Sequence, residues 1–130
     1  MPGTISHPIR VLLLDPDPRV RAALHELLTG EPDVYVCGEA RDGLDATDRI
    51  AAVGPDVVLL DLMLPSSIDG FAILGLLGTL RVPSVVLTTA NALRDEATRA
   101  GASAFLEKDG NLDRITQAIR SATFTKPAEV

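Results

Sequence analysis

Residues 56–61 read Asp-Val-Val-Leu-Leu-Asp, a short apolar run that stops abruptly at the carboxylate of Asp61. Two further segments follow the same pattern: Ile-Arg-Val-Leu-Leu-Leu over residues 9–14, which ends at Asp15, and Ser-Val-Val-Leu over residues 84–87, which ends at Thr88. Short continuous apolar runs with β-branched residues are typical of strands covered on both faces, as in a parallel sheet. We therefore predict three buried strands here, and two weaker ones over residues 34–39 and 103–107.

Helical patterns separate these strands. Apolar residues recur at three- and four-residue spacing after Asp17-Pro18, a pair typical of a helix cap followed by proline in the first turn, and Gly30 is a stop signal. Further helices are predicted over residues 44–53, 70–80, 92–100 and 112–122, the last with Asn111 as its cap. Gly75 and Gly78 are interpreted as positions where the helix over residues 70–80 packs closely. The order predicts an α/β fold, a doubly wound five-stranded parallel sheet with five helices.

The composition limits the class of protein. The chain has 130 residues, of which 46% are apolar, and its formal net charge is −6. These values indicate one globular domain over residues 9–122, with a flexible leader over residues 1–8 and a flexible tail over residues 123–130. The negative charge argues against direct nucleic-acid binding, and no apolar run approaches the roughly 20 residues that span a membrane. We expect a soluble cytoplasmic module with no membrane partner.

Four polar side chains follow the predicted strands: Asp15, Asp61, Thr88 and Lys108. Because ligands of open α/β sheets bind beyond the carboxyl ends of the strands, we expect these side chains to converge there. A carboxylate can act as the nucleophile of phosphoryl transfer when its neighbours hold a divalent cation and donate to the phosphoryl oxygens. In this pattern Asp61 could be the nucleophile, Asp15 could be a ligand of Mg²⁺, and Thr88 and Lys108 could donate to the phosphoryl oxygens.

These segments resemble the receiver domain of bacterial two-component response regulators. The resemblance covers residues 9–122 and rests on four motifs: Val-Leu-Leu-Leu-Asp over residues 11–15, Leu-Asp-Leu-Met-Leu-Pro over residues 60–65 followed by Asp69-Gly70, Val-Val-Leu-Thr over residues 85–88, and Gly-Ala-Ser-Ala-Phe-Leu-Glu-Lys over residues 101–108. It implies the flavodoxin-like receiver fold. The last motif is most similar to receivers that precede a helix-turn-helix output domain.

The resemblance also implies roles for individual residues. Asp61 would accept a phosphoryl group from a sensor histidine kinase, Thr88 and Lys108 would sense it, and Phe105 would change its rotamer with them. By the same resemblance Mg²⁺ would be held by Asp15, Asp61 and the backbone carbonyl of Met63, with Asp17 as a further candidate ligand.

The implied partners are the kinase and an output domain or partner protein that contacts the fourth helix, the fifth strand and the fifth helix. A homodimer is another candidate assembly. Beyond self-catalysed phosphoryl acceptance and autodephosphorylation, no enzymatic activity is expected.

The chain departs from the family's usual pattern at four places. Pro16 occupies the position of a second acid, so Mg²⁺ affinity should be low and Lys108 should lie within salt-bridge distance of Asp61. The loop over residues 65–70 is one residue longer than usual, and the link over residues 80–83 is shorter. Thr89 is bulkier than the residue common there, and it should narrow access to the phosphoryl site.

Two other functions fit parts of the sequence. Residues 12–17 also resemble the nucleophile motif of haloacid-dehalogenase-type phosphatases, in which Asp15 would attack and Asp17 would protonate the leaving group. That hypothesis leaves Asp61 and the loop after it unexplained, and the chain is short for such an enzyme. The second alternative is a receiver-like module that binds a protein or small ligand without phosphorylation.

Two further predictions concern residues outside these motifs. The charged residues of the helix over residues 92–100, Arg94 among them, are predicted to form a solvated face, with a partner surface as the alternative. Cys37 is predicted to be a small buried hydrophobic residue, because a lone cysteine in a strand is more often packed than reactive.

Overall fold

The computed structural model describes residues 7–65 and 68–124. Residues 1–6 of the predicted leader, residues 125–130 of the predicted tail and residues 66–67 of the predicted longer loop lie outside this range. The strands are β1 (Ile9–Leu14), β2 (Val34–Ala40), β3 (Val57–Leu60), β4 (Ser84–Thr88) and β5 (Ala104–Glu107). The helices are α1 (Pro18–Thr29), α2 (Gly43–Val53), α3 (Gly70–Leu80), α4 (Arg94–Arg99) and α5 (Leu112–Phe124), with a 3₁₀ turn over Asn91–Leu93 before α4.

The five strands form one parallel sheet in the order β2-β1-β3-β4-β5, which confirms the predicted fold class. In the described residues no helix is long and apolar enough to cross a membrane. The register pairs Leu14 of β1 with Leu60 of β3. The next residues, Asp15 and Asp61, therefore follow adjacent strand ends at the same edge of the sheet. β3 is the central strand, with β1 on one side and β4 on the other.

The apolar runs are continuous because both faces of the sheet are covered. Leu12 and Leu14 of β1 pack into the cluster that includes α2 and α3, whereas Val11 and Leu13 point into the cluster that includes α1 and α5. Side chains alternate between the two faces of a strand, so every position of a doubly covered strand must be apolar. This is the property from which the strands were predicted.

The helix ends follow local side-chain chemistry. The Asp17 carboxylate accepts a hydrogen bond from the Arg19 backbone N–H at 2.9 Å and caps α1, and the Asn111 side chain accepts one from the Arg114 N–H at 3.2 Å at the start of α5. Both caps were predicted. α5 continues to Phe124, two residues into the segment predicted as tail.

α4 differs from its prediction. A single helix was predicted over residues 92–100, but the α-helix covers only Arg94–Arg99 and is preceded by the 3₁₀ turn. The Leu93 N–H donates to the Ala90 carbonyl at 3.0 Å, the three-residue hydrogen bond that tightens such a turn. The chain therefore enters α4 through a tightly wound segment directly after β4.

The interpretation of Gly75 and Gly78 as close-packing positions is wrong. Both glycines are exposed on α3, and a Cβ atom added at either would meet nothing within 4 Å. α3 packs through Ile73, Leu74 and Leu77, which are on its other face. The glycine of α3 that another segment approaches closely is Gly70, where an added Cβ would collide with the backbone of Leu62.

We expect Gly75→Ala and Gly78→Ala each to stabilise the protein by about 0.5–1 kcal/mol, because alanine loses less backbone entropy in a helix and meets no neighbour here. Gly70→Ala, in the same helix, is the matched control and should destabilise the protein by about 1–3 kcal/mol through steric overlap with Leu62. Urea unfolding of the three variants measures these changes. Destabilisation by Gly75→Ala would show that this face of α3 is covered.

Candidate functional site

The centre of the site is a lysine between two buried carboxylates. Asp15 and Asp61 are 3% and 6% exposed, and the Lys108 ammonium lies 2.7 Å from Asp15 Oδ2 and 2.6 Å from Asp61 Oδ2. The predicted contact between Lys108 and Asp61 is confirmed. The contact with Asp15 was not predicted, and it means that one cation serves both acids.

The two carboxylates are held in the same way. Oδ1 of Asp15 accepts a hydrogen bond from the Asp17 backbone N–H at 2.9 Å, and Oδ1 of Asp61 accepts one from the Met63 N–H at 3.0 Å. Each acid thus directs one oxygen to the N–H two residues later, a common turn for aspartate, and the other oxygen to Lys108. The orientation of both carboxylates is set by these contacts.

The environment of Lys108 favours its charged form. Burial alone would lower its pKa, but the hydrogen bonds to Asp15 and Asp61 outweigh burial and raise the pKa above the usual value. The Lys108 side chain is 18% exposed, so water screens these contacts only in part. The site accordingly holds two acidic side chains around one ammonium group.

Thr88 lies at the same edge of the sheet, at the end of β4. It is fully buried, and its Oγ1 accepts a hydrogen bond from the Ala90 N–H at 3.3 Å, which leaves the hydroxyl proton to be donated elsewhere. The Lys108 backbone N–H donates to the Thr88 carbonyl at 3.2 Å and ties the ends of β4 and β5 together. Thr89 is exposed beside this point, and its effect on access stays a prediction.

The Asp17 side chain is engaged by Arg19. Besides the helix cap, Oδ1 accepts from the Arg19 Nε at 3.2 Å and Oδ2 from the Arg19 Nη2 at 3.0 Å. The Arg19 side chain lowers the pKa of Asp17, so this carboxyl is ionised. A general acid must carry a proton, and the arrangement is therefore unfavourable for the role that the phosphatase hypothesis gives Asp17.

The metal ligands named from the sequence, Asp15, Asp61 and, as a further candidate, Asp17, stay a prediction. Within the described residues no group of three or more histidine, cysteine or acidic residues is placed to hold a metal ion. Pro16 supplies no side-chain ligand, and low Mg²⁺ affinity stays a prediction.

Arg21 is a residue of the site that sequence analysis missed. Its Nη1 donates to the Asp15 carbonyl at 2.6 Å and its Nε donates to Glu39 at 3.2 Å. Glu39 lies on β2 and also contacts the His25 ring nitrogen at 3.1 Å. The partners of Arg21 come from a loop and a neighbouring strand, so no local sequence pattern marks this arginine.

Arg94 is exposed, as predicted for the solvated face, but its side chain also contacts Phe105, which was not predicted. Its guanidinium carbon lies 4.7 Å from the centre of the Phe105 ring, and its Nη1 donates to the Phe105 carbonyl at 3.2 Å. Phe105 is 6% exposed and packs in the core on the α2–α3 side of the sheet. A second side-chain contact, Asn91 to Glu107 at 2.7 Å, joins the 3₁₀ turn to β5.

Cys37 is packed against the core as predicted, but it is less buried than predicted. It is half-buried on β2, its Sγ lies 3.4 Å from the Val11 carbonyl, and burial raises its pKa. Because the thiolate is the reactive form, this environment does not activate the cysteine.

Comparisons with known sequences and structures point to the same family. The sequence model of the response regulator receiver domain matches residues 11–120. The protein-glutamate methylesterase/protein-glutamine glutaminase 5 of Myxococcus xanthus is 36% identical over 110 residues, which cover 81% of this chain and 31% of that protein. The transcriptional regulatory protein LiaR of Bacillus subtilis is 34% identical over 123 residues, covering 92% of this chain and 58% of LiaR. The chain thus spans about a third to just over half of these relatives.

Comparison with solved structures finds the same kind of domain. The signal receiver domain of the putative response regulator NarL from Mycobacterium tuberculosis superposes with a TM-score of 0.83 at 28% identity, covering 92% of this chain and 98% of that domain.

Proposed function

Because the chain belongs to the response regulator receiver domain family of two-component systems, we propose that Asp61 accepts a phosphoryl group and that the domain relays its presence as a change in partner contacts. The observation that carries this proposal is the position of Asp61. It follows the central strand, with the Asp15 carboxylate on one side, Thr88 on the other and Lys108 in direct contact.

In the proposed reaction one oxygen of Asp61 attacks the phosphorus of the donor. The new oxygen–phosphorus bond forms as the bond from phosphorus to the leaving group breaks, and the leaving group keeps the electron pair of that bond. The imidazole of a phosphohistidine donor then takes up a proton from water, whereas acetate from acetyl phosphate leaves as the anion. Lys108 exchanges its contact with Asp61 Oδ2 for a phosphoryl oxygen, and the Thr88 hydroxyl donates to a second one. Lys108 and Thr88 thereby stabilise charge that lies on the phosphoryl group.

Mg²⁺ belongs to this proposal as a weakly held cofactor. The residues that would hold it are Asp15, Asp61 and the backbone carbonyl of Met63, and the hard oxygens of the two buried carboxylates fit such an ion. When bound, the ion would neutralise charge on the phosphoryl oxygens. Asp17 would contribute only after release from Arg19 and from its place as helix cap.

The proposed donor is a sensor histidine kinase in the cytoplasm. The proposed output is a partner protein or domain that contacts α4, β5 and α5, and a homodimer remains a candidate for the same surface. Apart from gaining and losing its own phosphoryl group, the chain is proposed to have no enzymatic activity.

The test is intact mass spectrometry after incubation with acetyl phosphate and Mg²⁺. We expect wild type to gain one phosphoryl group, and borohydride trapping followed by peptide mapping should place it on Asp61. Asp61→Ala should gain none, whereas Asp56→Asn, at the opposite end of the same strand, should behave like wild type.

Two results would contradict the proposal. A label on Asp15 would favour the phosphatase hypothesis. Absence of any label on wild type, with acetyl phosphate and with a kinase, would favour the module that works without phosphorylation.

A further inference from the structure

Arg21 is a largely buried arginine of α1 that holds the backbone of Asp15. Its side chain is 17% exposed, against 90% for Arg19 two residues earlier. Nη1 donates to the Asp15 carbonyl at 2.6 Å, and Nε donates to Glu39 Oε1 at 3.2 Å. A hydrogen bond from a charged donor is stronger than one from a neutral donor, so the Asp15 carbonyl is firmly restrained.

Glu39 is fixed in turn near the end of β2. Its other oxygen, Oε2, lies 3.1 Å from the His25 ring nitrogen Nδ1. The carbonyl of the next residue, Ala40, accepts a hydrogen bond from the Asp15 N–H at 3.1 Å. The end of β2 therefore holds Asp15 on both sides, directly at its N–H and through Arg21 at its carbonyl.

The direction of the Asp15 carbonyl matters because Pro16 follows it. The proline ring fixes its own φ, so few rotations separate the Asp15 carbonyl from the Asp17 N–H. That N–H donates to Asp15 Oδ1 at 2.9 Å, and Oδ2 contacts the long side chain of Lys108. These two contacts hold the carboxylate but not the loop that carries it, and Arg21 restrains that loop.

We propose that Arg21 is a positioning residue for the Asp15 carboxylate. By fixing the Asp15 carbonyl it sets the direction of the carboxylate, toward Lys108 in this structure and toward Mg²⁺ when the ion is bound. The part that concerns Mg²⁺ rests on the proposed function, in which Asp15 is a ligand of the ion. Removing an outer group that orients a metal ligand typically lowers metal affinity by roughly 10- to 100-fold.

The experiment compares Arg21→Met with wild type by ¹H–¹⁵N NMR of the full chain. Methionine keeps an apolar stem and removes the hydrogen bonds of the guanidinium to Asp15 and Glu39. Without metal, we expect the Asp17 N–H to exchange with solvent about tenfold faster, because the loop is no longer held. In a titration with MgCl₂, the same signal should give an affinity about tenfold lower than that of wild type.

Arg120→Met is the matched control. Arg120 also joins a helix to β2 through acidic side chains, Glu31 and Asp33, but these precede β2 and lie at the amino ends of the strands. Its loss should lower thermal stability and leave both NMR measurements unchanged. Arg21→Lys, which keeps the charge but not the planar fork, should recover part of the lost Mg²⁺ affinity.

A Mg²⁺ affinity of Arg21→Met equal to that of wild type would overturn the inference, and so would equal losses in Arg120→Met. If wild type itself does not respond to Mg²⁺, the proposed cofactor fails. The exchange rate of the Asp17 N–H in metal-free protein then decides whether Arg21 positions Asp15, and an unchanged rate in Arg21→Met would overturn the inference. Failure of Asp61 to take up a phosphoryl group would contradict the proposed function and leave the measured role of Arg21 intact.

Discussion

Replacing Lys108 with methionine should lower the free energy of unfolding by about 2–3 kcal/mol near neutral pH in metal-free buffer, because two buried carboxylates then lose their shared cation. This loss of stability is smaller than the roughly 3–5 kcal/mol typical of breaking a fully buried pair, because the Lys108 side chain is partly exposed to water. Methionine is similar in length and keeps the apolar packing of the stem. The loss of stability should therefore come from the missing positive charge and not from missing packing.

The pH dependence of this effect follows from the direction of the Lys108 pKa. The pKa is raised in the folded protein above the unfolded value of 10.5. The contribution of Lys108 to stability is therefore fully present below the unfolded pKa and is lost as the pH rises through the folded-state pKa. The difference between wild type and Lys108→Met should be constant from neutral pH to about pH 10 and should shrink above that.

Urea unfolding at several pH values measures this difference. Lys108→Arg, which keeps a cation, is the matched control and should lose less stability than Lys108→Met. If Lys108→Met unfolds at the same urea concentration as wild type, the ammonium does not neutralise the two acids. Lys108→Met should also slow phosphorylation of Asp61, since its ammonium is proposed to bind the transferred group.

Pro16→Asp should raise Mg²⁺ affinity at least about tenfold, because Mg²⁺ is held by anionic oxygens and the present site offers two carboxylates. The added acid would stand directly after Asp15, at the position where the family usually has its second acid. Phosphorylation by acetyl phosphate should become faster in the same variant. Isothermal titration calorimetry of both proteins measures the change in affinity separately from activity.

Asp17→Asn is the matched control for this prediction. Asparagine caps helices as well as aspartate does, so the variant removes the charge and keeps the cap. Because Arg19 engages both oxygens of Asp17, we expect Mg²⁺ affinity to remain unchanged. A wild-type Kd near 1 mM (about −4 kcal/mol) or tighter, no gain in Pro16→Asp and a loss in Asp17→Asn would together show that Asp17 already acts as the second acid.

Features that depend on neighbours in the chain were predictable from the sequence. The strands were found because a strand covered on both faces needs a continuous apolar stretch, and residues 11–14 of β1, 57–60 of β3 and 85–87 of β4 form one each. The caps at Asp17 and Asn111 were found because a cap binds an N–H two or three residues away. The convergence of Asp15 and Asp61 followed from the fold, since parallel strands in register bring their ends together.

The tertiary structure alone decided which side chains meet across the sheet. Besides its predicted contact with Asp61, Lys108 reaches Asp15. Arg21 joins the Asp15 carbonyl to β2, and Arg94 contacts Phe105. In each case the partners belong to different elements. A long cationic side chain has the same local sequence signature whether it is solvated or paired, because its partner is chosen by the packing of distant segments. The exposure of Gly75 was hidden for the same reason: composition shows that a helix position is small, but only packing shows whether another element approaches it.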